Sequence, residues 1–112
     1  MHEYPITKRI IEVSEEFAKK NNVDQVKQIN LVVGDYSGYV ASSIELYFDL
    51  IAEDSICKGA ALHIERVKPK LKCTSCGQLF ERKPFEFTCP LCEGEGEPTD
   101  IGQEFYIKSI EV

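Results

Sequence analysis

The chain has 112 residues, a formal net charge of −6 and a sequence pI near 4.9. That length allows one domain, or one small domain carrying an insertion, and the acidic balance argues against a phosphate-backbone partner, which would want clustered Lys and Arg. At 43% hydrophobic residues the chain can fold, but its core is modest.

The start, Met1-His2-Glu3-Tyr4-Pro5, lacks the basic start and apolar run of a signal peptide. No stretch is apolar for the length of a membrane span. The expectation is a cytoplasmic protein with reduced thiols and no membrane partner.

Residues 6–20 read as a first helix. Ile6, Ile10, Val13 and Phe17 recur at helical steps on one face. Glu15–Lys19 and Glu16–Lys20 are spaced as i,i+4 pairs on the solvated side. Pro5 suits the first helical position, and Asn21-Asn22 ends the helix. Residues 26–33 read as a strand, with Ile29, Leu31 and Val33 alternating with Gln28, Asn30 and Val32. Gly34-Asp35 and Ser37-Gly38 are turn chemistry.

Ser42 and Glu45 are spaced as a capping box opening a second helix, with Ile44, Tyr47, Phe48 and Ile51 on its apolar face. A second strand covers residues 60–68 and ends at Pro69. A last strand, rich in β-formers (Phe105, Tyr106, Ile107, Ile110, Val112), covers residues 103–112.

Between these strands lie Cys73-Thr74-Ser75-Cys76, twelve spacer residues, and Cys89-Pro90-Leu91-Cys92. Two Cys-x-x-Cys pairs at this spacing are a strong signature of one tetrahedral metal site. Two redox or disulfide pairs are the alternative, but two matched pairs are harder to explain that way. Four thiolates suit zinc or iron, and zinc is the expectation. No open position is offered, so the site reads as structural. Phe80, Phe85 and Phe87 are the expected miniature core beneath it, and Gly94-Glu95-Gly96-Glu97-Pro98 a turn-rich exit and hinge.

The predicted fold is α+β. Two helices pack on a three-stranded sheet, with a small zinc-ribbon-like four-cysteine module inserted before the last strand. Residues 1–68 plus 103–112 form one domain and residues 69–102 the insertion.

The other chemistry lies at the first residues. His2 is bulky, so removal of Met1 is not expected. The Met1 amine, the His2 backbone nitrogen and the His2 imidazole can then chelate one metal, with Glu3 adding a backbone nitrogen and a carboxylate. A planar set of nitrogens suits Ni(II) or Cu(II). One terminal histidine alone does not establish such a site. His63 reads as an ordinary strand histidine and Cys57 as a small buried side chain. No nucleophile is paired with a base, and no glycine loop cradles phosphate, so the chain does not read as an enzyme.

Taken together, Met1-His2-Glu3, the Gly34–Gly38 loop, the double Cys-x-x-Cys and the ending Ile107-Lys108-Ser109-Ile110-Glu111-Val112 resemble the HypA/HybF hydrogenase nickel-incorporation proteins. The resemblance covers essentially the whole chain. It implies a nickel metallochaperone holding Ni(II) cargo through His2, with Glu3 and Met1 beside it. It implies structural Zn(II) at Cys73, Cys76, Cys89 and Cys92. The implied partners are a HypB-type GTPase and the precursor of the [NiFe]-hydrogenase large subunit, with the carrier a monomer or a homodimer. The chain departs from some relatives in two places. It has Tyr39-Val40-Ala41 where they carry an acidic residue, leaving Asp35 and Glu3 as the nearby acidic candidates. It also has Glu93 where glycine follows the second cysteine pair, with Gly94 one residue later.

Two other readings compete. A zinc-ribbon module that binds protein or nucleic acid would use Lys68, Lys70, Lys72, Arg82 and Lys83, the only concentration of basic residues. A rubredoxin-like iron carrier would use the four cysteines.

Overall fold

The computed structural model describes residues 3–83 and 85–112; the expectations placed on Met1 and His2 lie outside them. The elements run α1 (Glu3–Lys20), β1 (Gln28–Gly34), α2 (Ala41–Ala52), β2 (Ala61–Val67), β3 (Lys70–Cys73), β4 (Leu79–Glu81), β5 (Gly96–Pro98) and β6 (Phe105–Glu111). They form two separate three-stranded sheets, β2-β1-β6 and β4-β3-β5. The molecule is elongated, 54 × 27 × 17 Å.

In the first sheet β1 is central. It pairs parallel with β2, as the intervening crossover helix α2 allows, and antiparallel with β6, with an irregularity at Asn30/Leu31. Ile29, Leu31 and Val33 point from β1 into one core with Ile10, Ile11 and Ala18 of α1 and Ile44, Phe48 and Ala52 of α2. Both helices therefore cover the same face, and the expected α+β architecture is the one observed. Helix α1 ends in a C-terminal motif built on Asn22, at φ +55. Val23 N–H reaches back to Ala18 C=O at 3.1 Å and Asn22 N–H to Lys19 C=O at 3.1 Å.

Five local expectations are corrected. The buried stripe of α1 is Glu3, Thr7, Ile10, Ile11, Ser14 and Ala18, not the stripe through Phe17, which is exposed. The helix can turn these small polar residues inward because their hydroxyls bond back one turn, Thr7 to Glu3 C=O and Ser14 to Ile10 C=O. On the solvated side the ion pairs are Arg9–Glu12 at 3.5 Å and Arg9–Glu16 at 3.7 Å, rather than the two glutamate–lysine pairs.

Helix α2 opens at Ala41 with Val40 as N-cap and no side-chain cap, so Ser42 and Glu45 form no capping box. The Glu3 carboxylate, on another helix, accepts the Val40 N–H at 3.2 Å. A carboxylate there also suits the positive end of α2.

The second sheet hangs between β2 and β6. Leu71 is its buried centre, in register with Phe80 on one side and Pro98 on the other. The expected three-phenylalanine core is not formed. Phe80 is half-buried, but Phe87 is about half exposed and Phe85 is 97% exposed. A three-residue strand pairing offers one inward position opposite Leu71, and the rest of the spacer runs beyond the sheet. Gly96–Pro98, expected as part of a hinge, is the edge strand β5.

Where the chain passes between the sheets, Gly34 N–H bonds to Glu104 C=O at 2.6 Å, Asp35 N–H to Val67 C=O at 2.9 Å, and Tyr36 N–H to Gly102 C=O at 2.7 Å. A Cβ on Gly34 would lie 2.0 Å from the Gly102 carbonyl oxygen, inside any contact distance. Gly34→Ala must therefore push the two passing backbones apart and weaken these bonds. We expect a loss of about 3 kcal/mol, at the upper end for overpacking, and a thermal midpoint lower by about 12 °C. A midpoint within about 2 °C of the parent would show that this crossing is loose.

Candidate metal centre

The two cysteine pairs fold into matched turns. In the first, Gly77 N–H bonds to Cys73 C=O at 3.0 Å and Cys73 N–H to Gln78 C=O at 2.9 Å. In the second, Glu93 N–H bonds to Cys89 C=O at 2.9 Å and Cys89 N–H to Gly94 C=O at 2.8 Å. The residue after each pair takes a left-handed conformation, Gly77 at φ +75 and Glu93 at φ +61. The glutamate that replaces glycine thus adopts the same turn and bears the strain of a side chain at positive φ.

The turns face each other. Cys73 Sγ lies 3.3 Å from Cys92 Sγ, and Cys76 Sγ 3.8 Å from Cys89 Sγ. All four sulfurs lie within 4.8 Å of one another, the one such cluster among the described residues. A tetrahedral ion with metal–sulfur bonds of about 2.3 Å sets its sulfurs about 3.8 Å apart. The cluster fits one such ion. The sulfurs contact one another both across and within the two pairs as one cluster, and all five cysteines are free thiols. That geometry does not support the redox or disulfide alternative.

Electrostatics prepare one ligand in advance. The Cys76 backbone N–H, then that of Ser75, both 3.4 Å from Cys73 Sγ, outweigh burial and hold the Cys73 thiol down at about 6. At Cys92 the Gly94 backbone N–H pulls down, but the crowding sulfurs of Cys73, Cys76 and Cys89, with burial, push the thiol up to about 12. The thiols titrate as one group, and an incoming metal must displace the protons that remain on it.

The other sequence-predicted residues sit apart from this cluster. Glu3 is buried against the start of α2 with its carboxylate on Val40 N–H. His63 is exposed on β2. Cys57 is fully buried in the main core, where burial pushes its thiol up, against a hydrogen bond from Ser55 that lowers it. Sequence reasoning missed the Glu3–Val40 bond and a stack of Arg82 between Tyr36 and Phe87. Neither has a local sequence signal, since Glu3–Val40 and Arg82–Tyr36 each join residues distant in the chain.

An α+β body carrying a separate four-thiolate module defines a metal-binding protein. The chain belongs to the HypA family of metallochaperones: the family model described as "Hydrogenase/urease nickel incorporation, metallochaperone, hypA" matches residues 1–112. It is 41% identical over 113 residues to the hydrogenase maturation factor HypA of Caldanaerobacter subterraneus subsp. tengcongensis, covering 100% of this chain and 99% of that one. It is 37% identical to the factor of the same name from Geobacter metallireducens, again covering 100% and 99%. The solution structure of the Ni metallochaperone HypA from Helicobacter pylori superposes with a TM-score of 0.64 at 30% identity, covering 99% of this chain and 97% of that one. The chain is thus a non-enzymatic factor of hydrogenase nickel incorporation, as the resemblance implied.

Proposed function

We propose that this protein captures Ni(II) at its first residues and delivers it to the precursor of the [NiFe]-hydrogenase large subunit, working with a HypB-type GTPase in the cytoplasm. The observation that carries the reading is the match to a nickel-incorporation family over the whole chain, residues 1–112. His2 is the principal nickel ligand, with the Met1 amine and backbone nitrogens completing a planar set.

Glu3 acts from beside this set. Its bond to Val40 N–H anchors the start of α1 to the start of α2, which supports a steadying role as well as a ligand role. Nitrogen ligands must lose protons to bind, so nickel is held less well as pH falls through the histidine range.

Cys73, Cys76, Cys89 and Cys92 hold Zn(II), which cross-links the two turns of a module with little apolar core of its own. The chain divides accordingly into 1–68 plus 103–112, the nickel-binding domain, and 69–102, the zinc-binding insertion. The separate sheets and the absence of residues 69–102 from the main core cluster support this division. Of the basic residues the nucleic-acid alternative would use, Arg82 is engaged with two aromatic rings.

Delivery is tested by loading the zinc-containing protein with nickel and mixing it with metal-free large-subunit precursor and the GTPase. After separation, nickel is expected in the precursor fraction only when the carrier is present and not when it is His2→Ala. Nickel that stays wholly on the carrier would overturn the delivery reading.

A further inference from the structure

Arg82 lies in the spacer between the cysteine pairs, and its side chain joins the two parts of the molecule. Its guanidinium carbon is 5.4 Å from the centroid of the Tyr36 ring and 5.4 Å from that of Phe87. Both distances are within cation–π range. Tyr36 belongs to the loop that follows β1, and Phe87 stands two residues before Cys89. No carboxylate lies within ion-pair distance of Arg82 among the described residues. The residue is otherwise exposed.

The stack is not a by-product of a packed interface. An open cleft of about 500 Å³ beside it is lined by Tyr36, Lys68, Pro69, Arg82, Phe85 and Phe87. At its far end the loop of Tyr36 leads to Val40, whose N–H is held by Glu3, the residue next to His2. On the cysteine side, Phe87 C=O accepts the Gly96 N–H at 2.7 Å and so ties the stack to β5 of the small sheet.

We propose that Arg82 is a positioning residue that staples the cysteine module to the Tyr36 loop, so that an ordered cysteine module sets the position of the loop leading to the start of the chain. This rests on the reading that the four cysteines hold zinc. It adds a side-chain route, beside the Tyr36 N–H to Gly102 C=O bond, by which loss of that zinc reaches the other domain. Two exposed cation–π contacts favour the stapled arrangement by roughly tenfold.

The test is backbone amide NMR of the full chain before and after zinc removal by a chelator, with zinc content measured in each sample. In the parent protein, zinc removal is expected to shift the amides of Tyr36, Ser37, Gly38 and Tyr39. In Arg82→Ala those amides should already be displaced and should no longer respond; Arg82→Lys, which keeps a cation, should restore part of the response. Tyr36→Leu, which leaves the cysteine module untouched, should abolish the response while zinc stays bound. This variant keeps the test decisive if Arg82→Ala loses zinc. A parent loop that ignores zinc removal would overturn the staple, as would a Tyr36→Leu loop that still responds. Purified parent protein without zinc would instead overturn the zinc reading, a separate failure that the metal analysis identifies.

Discussion

With zinc at the four thiolates as proposed, Cys89→Ser is expected to loosen the metal and, when zinc is not in excess, to unfold the second sheet while leaving the first sheet intact. Structural zinc sites bind with apparent free energies of about 10–16 kcal/mol. Losing one thiolate of four removes a share of roughly a quarter, a weakening on the order of a hundred- to thousandfold. The module cannot make good the loss from its apolar core. Its buried side chains are Leu71, Cys73 and Cys89, and Phe85 and Phe87 lie at the surface. Among the described residues the main core has no member between 69 and 102, so it does not depend on the module. The measurement is zinc content together with a backbone NMR spectrum. Amides of β3, β4 and β5 should collapse to random-coil positions, and those of α1, β1, α2 and β2 should stay dispersed. Dispersed β3–β5 amides in a zinc-free variant would show that the module folds without metal.

His2→Ala is expected to abolish tight nickel binding with zinc and fold retained. Disturbing only the outer-shell partner of a ligating histidine costs about 10–100-fold in metal affinity, and removing the imidazole itself should cost more. The main core is built from residues of the described chain, Ile10, Ile29, Leu31, Ile44 and Phe48 among them. Calorimetric nickel titration of both proteins at one pH, with zinc content measured alongside, checks this. An unchanged affinity would place nickel elsewhere in the chain.

The parts of this structure that repeat locally were readable from the chain. Ile29, Leu31 and Val33 alternate, and all three are buried on one face of β1. The cysteine spacing announces two turns that meet, and the sulfurs do meet. Family membership was readable because the terminal His-Glu and the double cysteine pair occur together.

What the chain did not disclose depends on long-range contacts. Thr7 and Ser14 look like surface residues until their hydroxyls are seen bonding back along α1. Ser42 and Glu45 have the right spacing for a cap, but Glu3, distant in sequence, reaches the start of α2 first. Phe85 and Phe87 are apolar, yet the short pairing of β3 with β4 leaves them nothing to pack beneath. Arg82 looks like one basic residue among several, and only the fold brings Tyr36 to it. Glu93 reads as a departure from the glycine pattern, but its backbone takes the left-handed turn regardless.

The claim that Met1 and His2 form one nickel chelate is tested most directly by lengthening the chain. Two versions are titrated with nickel, one beginning at Met1 and one carrying a few small residues before it, with zinc measured in both. The free amine becomes an amide in the longer version and loses its ready donor pair, while every residue of the fold is kept. Tight binding by the first alone, at equal zinc content, is the predicted result. Equal binding by both would remove the terminal amine from the site and contradict the account.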